Sequence, residues 1–326
     1  MTRINSFLRD HNHPSLRGGI FFAVYFSLLC VALVPLQSCL FRQPAARPFI
    51  TSHAPAVKKH IAQKPAVQHD TLCIAAVGDI MLGTSYPDGR TLPPDSAKKS
   101  FTAITTELRN ADVTMGNLEG TLLNGGAPAH YKLNLKSKAY LFRMPTAYSA
   151  ILASAGFKVL SLANNHIGDF GDRGRISTMQ SLDLAGIQYG GLLRHPAAVF
   201  KIKGVRYGFC AFAPNSQTLP LLDLKRAREV IDSLKQKCDI VIVSFHGGAE
   251  GAGAEHIKRA PESYSGEKRG NVYAFAHTAI DAGADMVLGN GPHVCRAMEL
   301  YKGRLIAYSV GNFCTYKSVN VAGVCG

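Results

Sequence analysis

Five apolar runs in this 326-residue chain each end in residues that can hold a cation or move a proton. Asp79 follows the run Leu72–Val77, and Glu119 follows Asp112–Met115. Asn165 and His166 follow Lys158–Leu162, with Asp169 three residues further on. His246 follows Asp239–Phe245 with Glu250 just beyond, and His293 closes the turn Gly289-Asn290-Gly291-Pro292-His293 after Asp285–Leu288. Carboxylate, carboxamide and imidazole form a hard-to-borderline donor set with no thiolate, which suits one or two divalent ions such as Mn, Zn, Fe or Mg. Taken singly, each residue has an ordinary explanation: a turn Asp, a helix-start Glu, an Asp169 helix cap, a satisfied histidine. Their joint occurrence at the ends of apolar runs is what points to a site. His166 beside an Asn can act as a ligand or as a general acid. Asp169 is placed to hold that imidazole in one tautomer.

The elements that must position these groups read as alternating strands and helices. Ala97–Arg109, Pro145–Ala155, Gly174–Ala185, Asp223–Lys237 and Asn271–Ala282 are the expected helices. Gly156 is a stop signal after the second of them. Ala198–Lys203 with Val205–Ala213, and Ala297–Tyr301 with Leu305–Val310, are expected hairpins around Lys-Gly turns. The pattern is an α/β (α+β) layered sandwich, with mixed sheets flanked by helices. In such sheets the carboxyl ends of the strands gather at one edge, where ligands bind.

Six stretches then resemble, in order, the CapA-type poly-γ-glutamate capsule synthesis proteins, a family with a calcineurin-like metallophosphatase fold. They are GDIMLG (78–83), NLEG (117–120), LANNHIGDFG (162–171), SFHGGAE (244–250), DAGADMVLGNGPHV (281–294) and YSVGNF (308–313). The resemblance implies two layered sheets with a metal centre at the strand ends. It makes Asp79, Glu119, Asn165, His246 and His293 the ligands, His166 the acid, and Asp169 and Glu250 supporting groups. The phosphatase pattern opens with Asp-x-His and closes with Gly-His-x-His. Here Asp79 is followed by Ile80-Met81, and Asn290 stands at the first closing imidazole position. The family pattern also implies a longer continuation after Phe313 than this chain supplies.

Composition bounds the setting. The net charge is +14, with +6 of it in residues 1–70 (8 Lys/Arg against 2 Asp/Glu). The charge is diffuse, without a basic run interleaved with aromatics, so no nucleic-acid partner is expected. An anionic polymer or membrane surface suits the field. Arg3, Arg9 and Arg17 precede the apolar run Gly19–Leu36, which ends in Leu36-Gln37-Ser38-Cys39. This is the layout of a secretory signal, and its end resembles a lipobox with Cys39 as the lipidated residue. An uncleaved anchor is the competing reading. Residues 1–39 are thus expected as signal or anchor, 40–70 as a tether, and 71–326 as the CapA-like domain outside the cytoplasm. Cysteine spacing contains no CxxC pair, which excludes a zinc knuckle or redox motif. The expected function is membrane-tethered synthesis of an anionic capsule polymer such as poly-γ-glutamate, with a metal-dependent hydrolase site, alongside other capsule-synthesis membrane proteins. A non-catalytic polymer-binding assembly or export component, and a generic envelope phosphoesterase, are the alternatives.

Overall fold

The computed structural model describes the backbone of residues 21–23 together with residues 71–133 and 140–317. Cys39 and the tether lie outside them. Of the apolar N-terminal run, only Phe21–Ala23 is described, as a short strand parallel to Cys73–Ala75. No helix of the described residues is long and apolar enough to cross a membrane.

Strands β1 (Cys73–Met81), β2 (Val113–Leu118), β3 (Val159–Ser161) and β4 (Gln188–Gly190) lie side by side in that order, all parallel. Helices α1 (Thr105–Asn110), α2 (Tyr148–Ala155) and α3 (Gly171–Leu184) connect them. The second sheet holds β5 (Ala197–Ile202), β6 (Val205–Ala213), β7 (Ile240–His246), β8 (Met286–Asn290), β9 (Met298–Tyr301) and β10 (Arg304–Ala307). Here β6, β7, β8 and β10 run parallel, while the hairpins β5–β6 and β9–β10 supply the antiparallel pairs that make the sheet mixed. Helices α4 (Leu224–Lys235) and α5 (Val272–Asp281) belong to this half. A last strand, β11 (Asn312–Thr315), returns to the first sheet and pairs in parallel with the end of β1.

Side-chain alternation along the strands builds the layers. Ile74, Val113 and Met115 of the first sheet meet Phe209, Ala211, Ile242, Met286 and Leu288 of the second. On its outer face the second sheet presents Val241, Val243 and Phe245 to Ala227, Ile231 and Leu234 of α4 and to Phe275 and Ala279 of α5. The first sheet does likewise with Ile80, Leu118 and Leu160 against Leu108, Tyr148, Leu152 and Leu182. Each fully buried Leu, Ile or Phe in these layers is worth roughly 1.5–3 kcal/mol. The result is helix, sheet, sheet, helix: the layered α/β fold expected.

Helix ends follow capping chemistry. The Asp223 carboxylate accepts from the Arg226 N–H (2.9 Å) and Asn271 Oδ1 from the Ala274 N–H (2.9 Å), so both are caps rather than first helical residues. Gly156 closes α2 at φ 111°, a left-handed value that suits glycine. The expected helix 97–109 is helical only over Thr105–Asn110; Ser96 and Ala97 have left-handed φ, and turns fill 97–104.

Candidate metal centre

The same alternation that builds the inter-sheet core continues one or two residues further as polar groups. Asn117 shares the face of Val113 and Met115, His246 that of Ile240 and Ile242, and Asn290 that of Met286 and Leu288. All three strands run beyond the expected ends, so these residues are strand residues. Asp79 likewise lies inside β1, whose Cα atoms from Asp79 onward pair with β2 on one side and β11 on the other. Gly78 is required there, because any Cβ would collide with the Gly311 carbonyl oxygen.

A buried polar chain links the two sheets. Asn117 Nδ2 donates to Asp79 Oδ1 (2.7 Å) and lies 3.4 Å from His246 Nδ1. Asn164 Nδ2 donates to Asn117 Oδ1 (3.1 Å) and to the Leu118 carbonyl (2.9 Å). Its Oδ1 accepts from the backbone N–H groups of His166 and Ile167 (3.0 and 2.9 Å), which shapes the loop that presents His166.

His166 lies against Asp169 and Phe142. Its Nδ1 is 2.9 Å from Asp169 Oδ2, which also accepts from the Phe142 N–H (2.8 Å), and the Phe142 ring packs against the imidazole at 4.1 Å. Lys132 Nζ bridges Asp169 Oδ1 (2.8 Å) and the Asn165 carbonyl (2.9 Å). The free edge of the ring, Nε2, stands 3.9 Å from Glu119 Oε1.

The second histidine gathers the acids. His293 Nδ1 is 2.9 Å from Asp79 Oδ2 and 3.1 Å from Asn312 Oδ1, while Nε2 faces Glu119 Oε1 (3.8 Å) and Glu250 Oε2 (3.9 Å). The residue sits at φ 61°, a left-handed backbone uncommon for a non-glycine residue. Arg269, 1 % exposed, fixes Glu250 (2.9 Å) while donating to the Gly248 carbonyl (3.1 Å). The His246 and His293 rings are 6.1 Å apart.

Clustered acids and unmet hydrogen bonds make this a candidate cation site. Asp79, Glu119 and His293 each offer a ligand atom within 4.8 Å of the others. Glu119 Oε1, Asn165 Oδ1 and His246 Nε2 are buried with no hydrogen-bond partner, an arrangement that is costly unless something else satisfies them. Burial, then the charges of Asp79 and Glu250, push the Glu119 carboxyl well above the usual range, against the pull of His293. Burial alone would lower His293, but Glu119, the Asp79 hydrogen bond and Glu250 outweigh it and hold the imidazole well above its ordinary value. Burial, then the charges of Arg269 and His293, push His246 well below its ordinary value, toward the neutral form that a metal ligand must have. The donor set therefore fits a divalent cation.

The structure brings Asp79, Glu119, His166, Asp169, His246, Glu250 and His293 into one linked cluster, and puts the buried Asn165 oxygen one residue from His166. Asn290 Nδ2 faces Ser244 Oγ (3.3 Å), and its buried Oδ1 has no hydrogen-bond partner. Arg269, Lys132 and the linking role of Asn117 were not legible in the sequence: two are single charges outside any strand-end cluster, and Asn117 sits in a quoted motif whose Glu119 drew the attention.

The family profile for the bacterial capsule synthesis protein PGA_cap matches residues 73–317. The capsule biosynthesis protein CapA of Bacillus anthracis is 28% identical over 265 residues, 76% of this chain and 60% of that protein. The PGA biosynthesis protein CapA of Bacillus subtilis is 29% identical over 274 residues, 77% of this chain and 66% of that one. The chain thus spans less than two thirds of the length of these relatives. Among solved structures, a hypothetical protein from Thermus thermophilus is similar at 18% identity and a TM-score of 0.42, covering 73% of this chain and 75% of that one. A purple acid phosphatase from yellow lupin is similar at 9% identity and a TM-score of 0.39, over 78% and 47% of the respective chains. Matched by its profile across nearly the whole sandwich and centre just described, the chain belongs to the bacterial capsule synthesis protein family PGA_cap.

Proposed function

We propose that this protein is a membrane-tethered capsule-synthesis hydrolase whose strand-end centre holds one or two divalent ions and cleaves an anionic polymer such as poly-γ-glutamate. The observation that carries the reading is the combination of clustered acids around His293 with buried donors on Glu119, Asn165 and His246 that have no hydrogen-bond partner. Asp79, Glu119, Asn165, His246 and His293 would hold the cation. When bound, it would supply an acidified water and stabilise charge developing on the scissile group. His166 serves the leaving group. With Nδ1 engaged by Asp169, Nε2 is the nitrogen available to hand over a proton, and an amide nitrogen leaves poorly without one. Glu250, fixed by Arg269, supports the imidazole of His293 from the far side. The net charge of +14 favours encounter with a polyanion.

A second reading is polymer binding without turnover, in assembly or export. Asn290 favours it, since it removes an imidazole where a phosphatase pattern has one. The test is metal analysis of the full-length protein in detergent, with a hydrolysis screen over poly-γ-glutamate and phosphoesters. The expected result is bound metal, polymer cleavage, and a fall of roughly 10²–10⁴ in rate for His166→Ala with metal retained. Polymer binding with metal but no cleavage supports the assembly role. A metal-free protein after loading with Mn and Zn sinks the hydrolase.

A further inference from the structure

Asn312 is set beside Asp79 and His293 from several directions at once. Its Cα is paired with that of Asp79 across β11 and β1. Its N–H donates to the His293 carbonyl (3.2 Å), and the Gly311 carbonyl before it accepts from the Asp79 N–H (3.1 Å). Its Oδ1 lies 3.1 Å from His293 Nδ1, the same nitrogen that Asp79 Oδ2 approaches at 2.9 Å.

Both oxygens are acceptors, and one ring N–H carries one proton, which cannot align well with two acceptors at once. The distances have another meaning. Donor atoms about 2.0–2.2 Å from a common cation, at right angles to each other, stand about 3 Å apart. We infer that Asn312 Oδ1 is a further ligand: with Asp79 Oδ2 and His293 Nδ1 it forms one face of a divalent-cation site. His293 Nε2 then faces Glu250 Oε2 (3.9 Å), as the second nitrogen of a metal-bound histidine commonly faces a carboxylate. The amide adds an oxygen donor to a neighbourhood already crowded with carboxylates, without adding charge. This assignment rests on the reading that the centre holds a cation.

The test is calorimetric titration of the full-length protein with Mn²⁺, together with the visible absorption spectrum of the Co²⁺ form. Wild type, Asn312→Ala and Asn312→Asp are compared, with circular dichroism to confirm folding. Asn312→Ala should weaken Mn²⁺ binding at least tenfold and shift the Co²⁺ spectrum. Asn312→Asp keeps the shape and adds a charged oxygen; it should bind as tightly as wild type or tighter, with an altered Co²⁺ spectrum. If the Ala variant fails to fold, the Asp variant's spectrum decides. Wild-type affinity and a wild-type spectrum in the folded variants would overturn the assignment while leaving the metal centre intact. No cation uptake by wild type would overturn both.

Discussion

Protons and a cation would compete for the same atoms at Glu119 and His293. The Glu119 carboxyl and the His293 imidazole are both held well above their ordinary values, so the folded protein keeps protons that the unfolded chain releases. That makes the metal-free protein lose stability as pH rises through those raised values. His246 works in the opposite direction, because its lowered value adds stability as pH rises, but its effect is complete above its ordinary value of 6.5. Above about pH 7 the loss should therefore stand alone. Melting curves in chelator should show a falling Tm in that range, and saturating Mn²⁺ should flatten it. Cation affinity should rise over the same range as the competing protons leave. A chelator-treated protein with a flat or rising Tm would contradict this account of the His293 environment.

At the scale of elements, much of the scaffold was readable because strand alternation and helix period are local signals. Both hairpins and most of the helices follow from residues close in sequence, although Asp223 and Asn271, expected as first helical residues, are caps. Strand ends were less legible. β1 extends to Met81 because β11, far along the chain, supplies backbone partners for Asp79 to Met81. The truncated helix at Thr105–Asn110 reflects an irregular lead-in through Ser96 and Ala97 that the apolar period does not register. The strand-end clusters were legible as donors, whereas the groups that hold them came from elsewhere. One is the loop after His246, which is held by the fully buried pair of Arg296 and Glu262. Arg296 Nη1 and Nη2 meet the two Glu262 oxygens at 3.0 and 2.8 Å, and both residues bond the Ala249 backbone. Arg296→Met should cost about 3–5 kcal/mol by leaving the Glu262 charge unpaired, whereas Arg296→Met with Glu262→Leu should recover most of it. Denaturant melts of the two variants check this, and equal losses in both would show that the pair, rather than the stranded charge, supplies the stability.

The molecule as a whole joins a layered sandwich to a basic N-terminal region, and we propose that Cys39 carries a lipid that keeps the domain at a membrane. Cys39→Ala should then abolish labelling by a fatty-acid probe and leave a larger, unprocessed chain; unchanged size and labelling would favour an uncleaved anchor. The return of β11 to the first sheet has a temporal consequence as well. His293 and Asp79 meet across 214 residues of chain, and Asn312 closes over them later still. Contacts between such distant positions are slow to form, because much of the intervening chain must be ordered first. A growing or partly folded polypeptide therefore cannot present the full donor set. Cation uptake at the proposed site would then be a late event, and its appearance in a refolding experiment would time the arrival of the last strand.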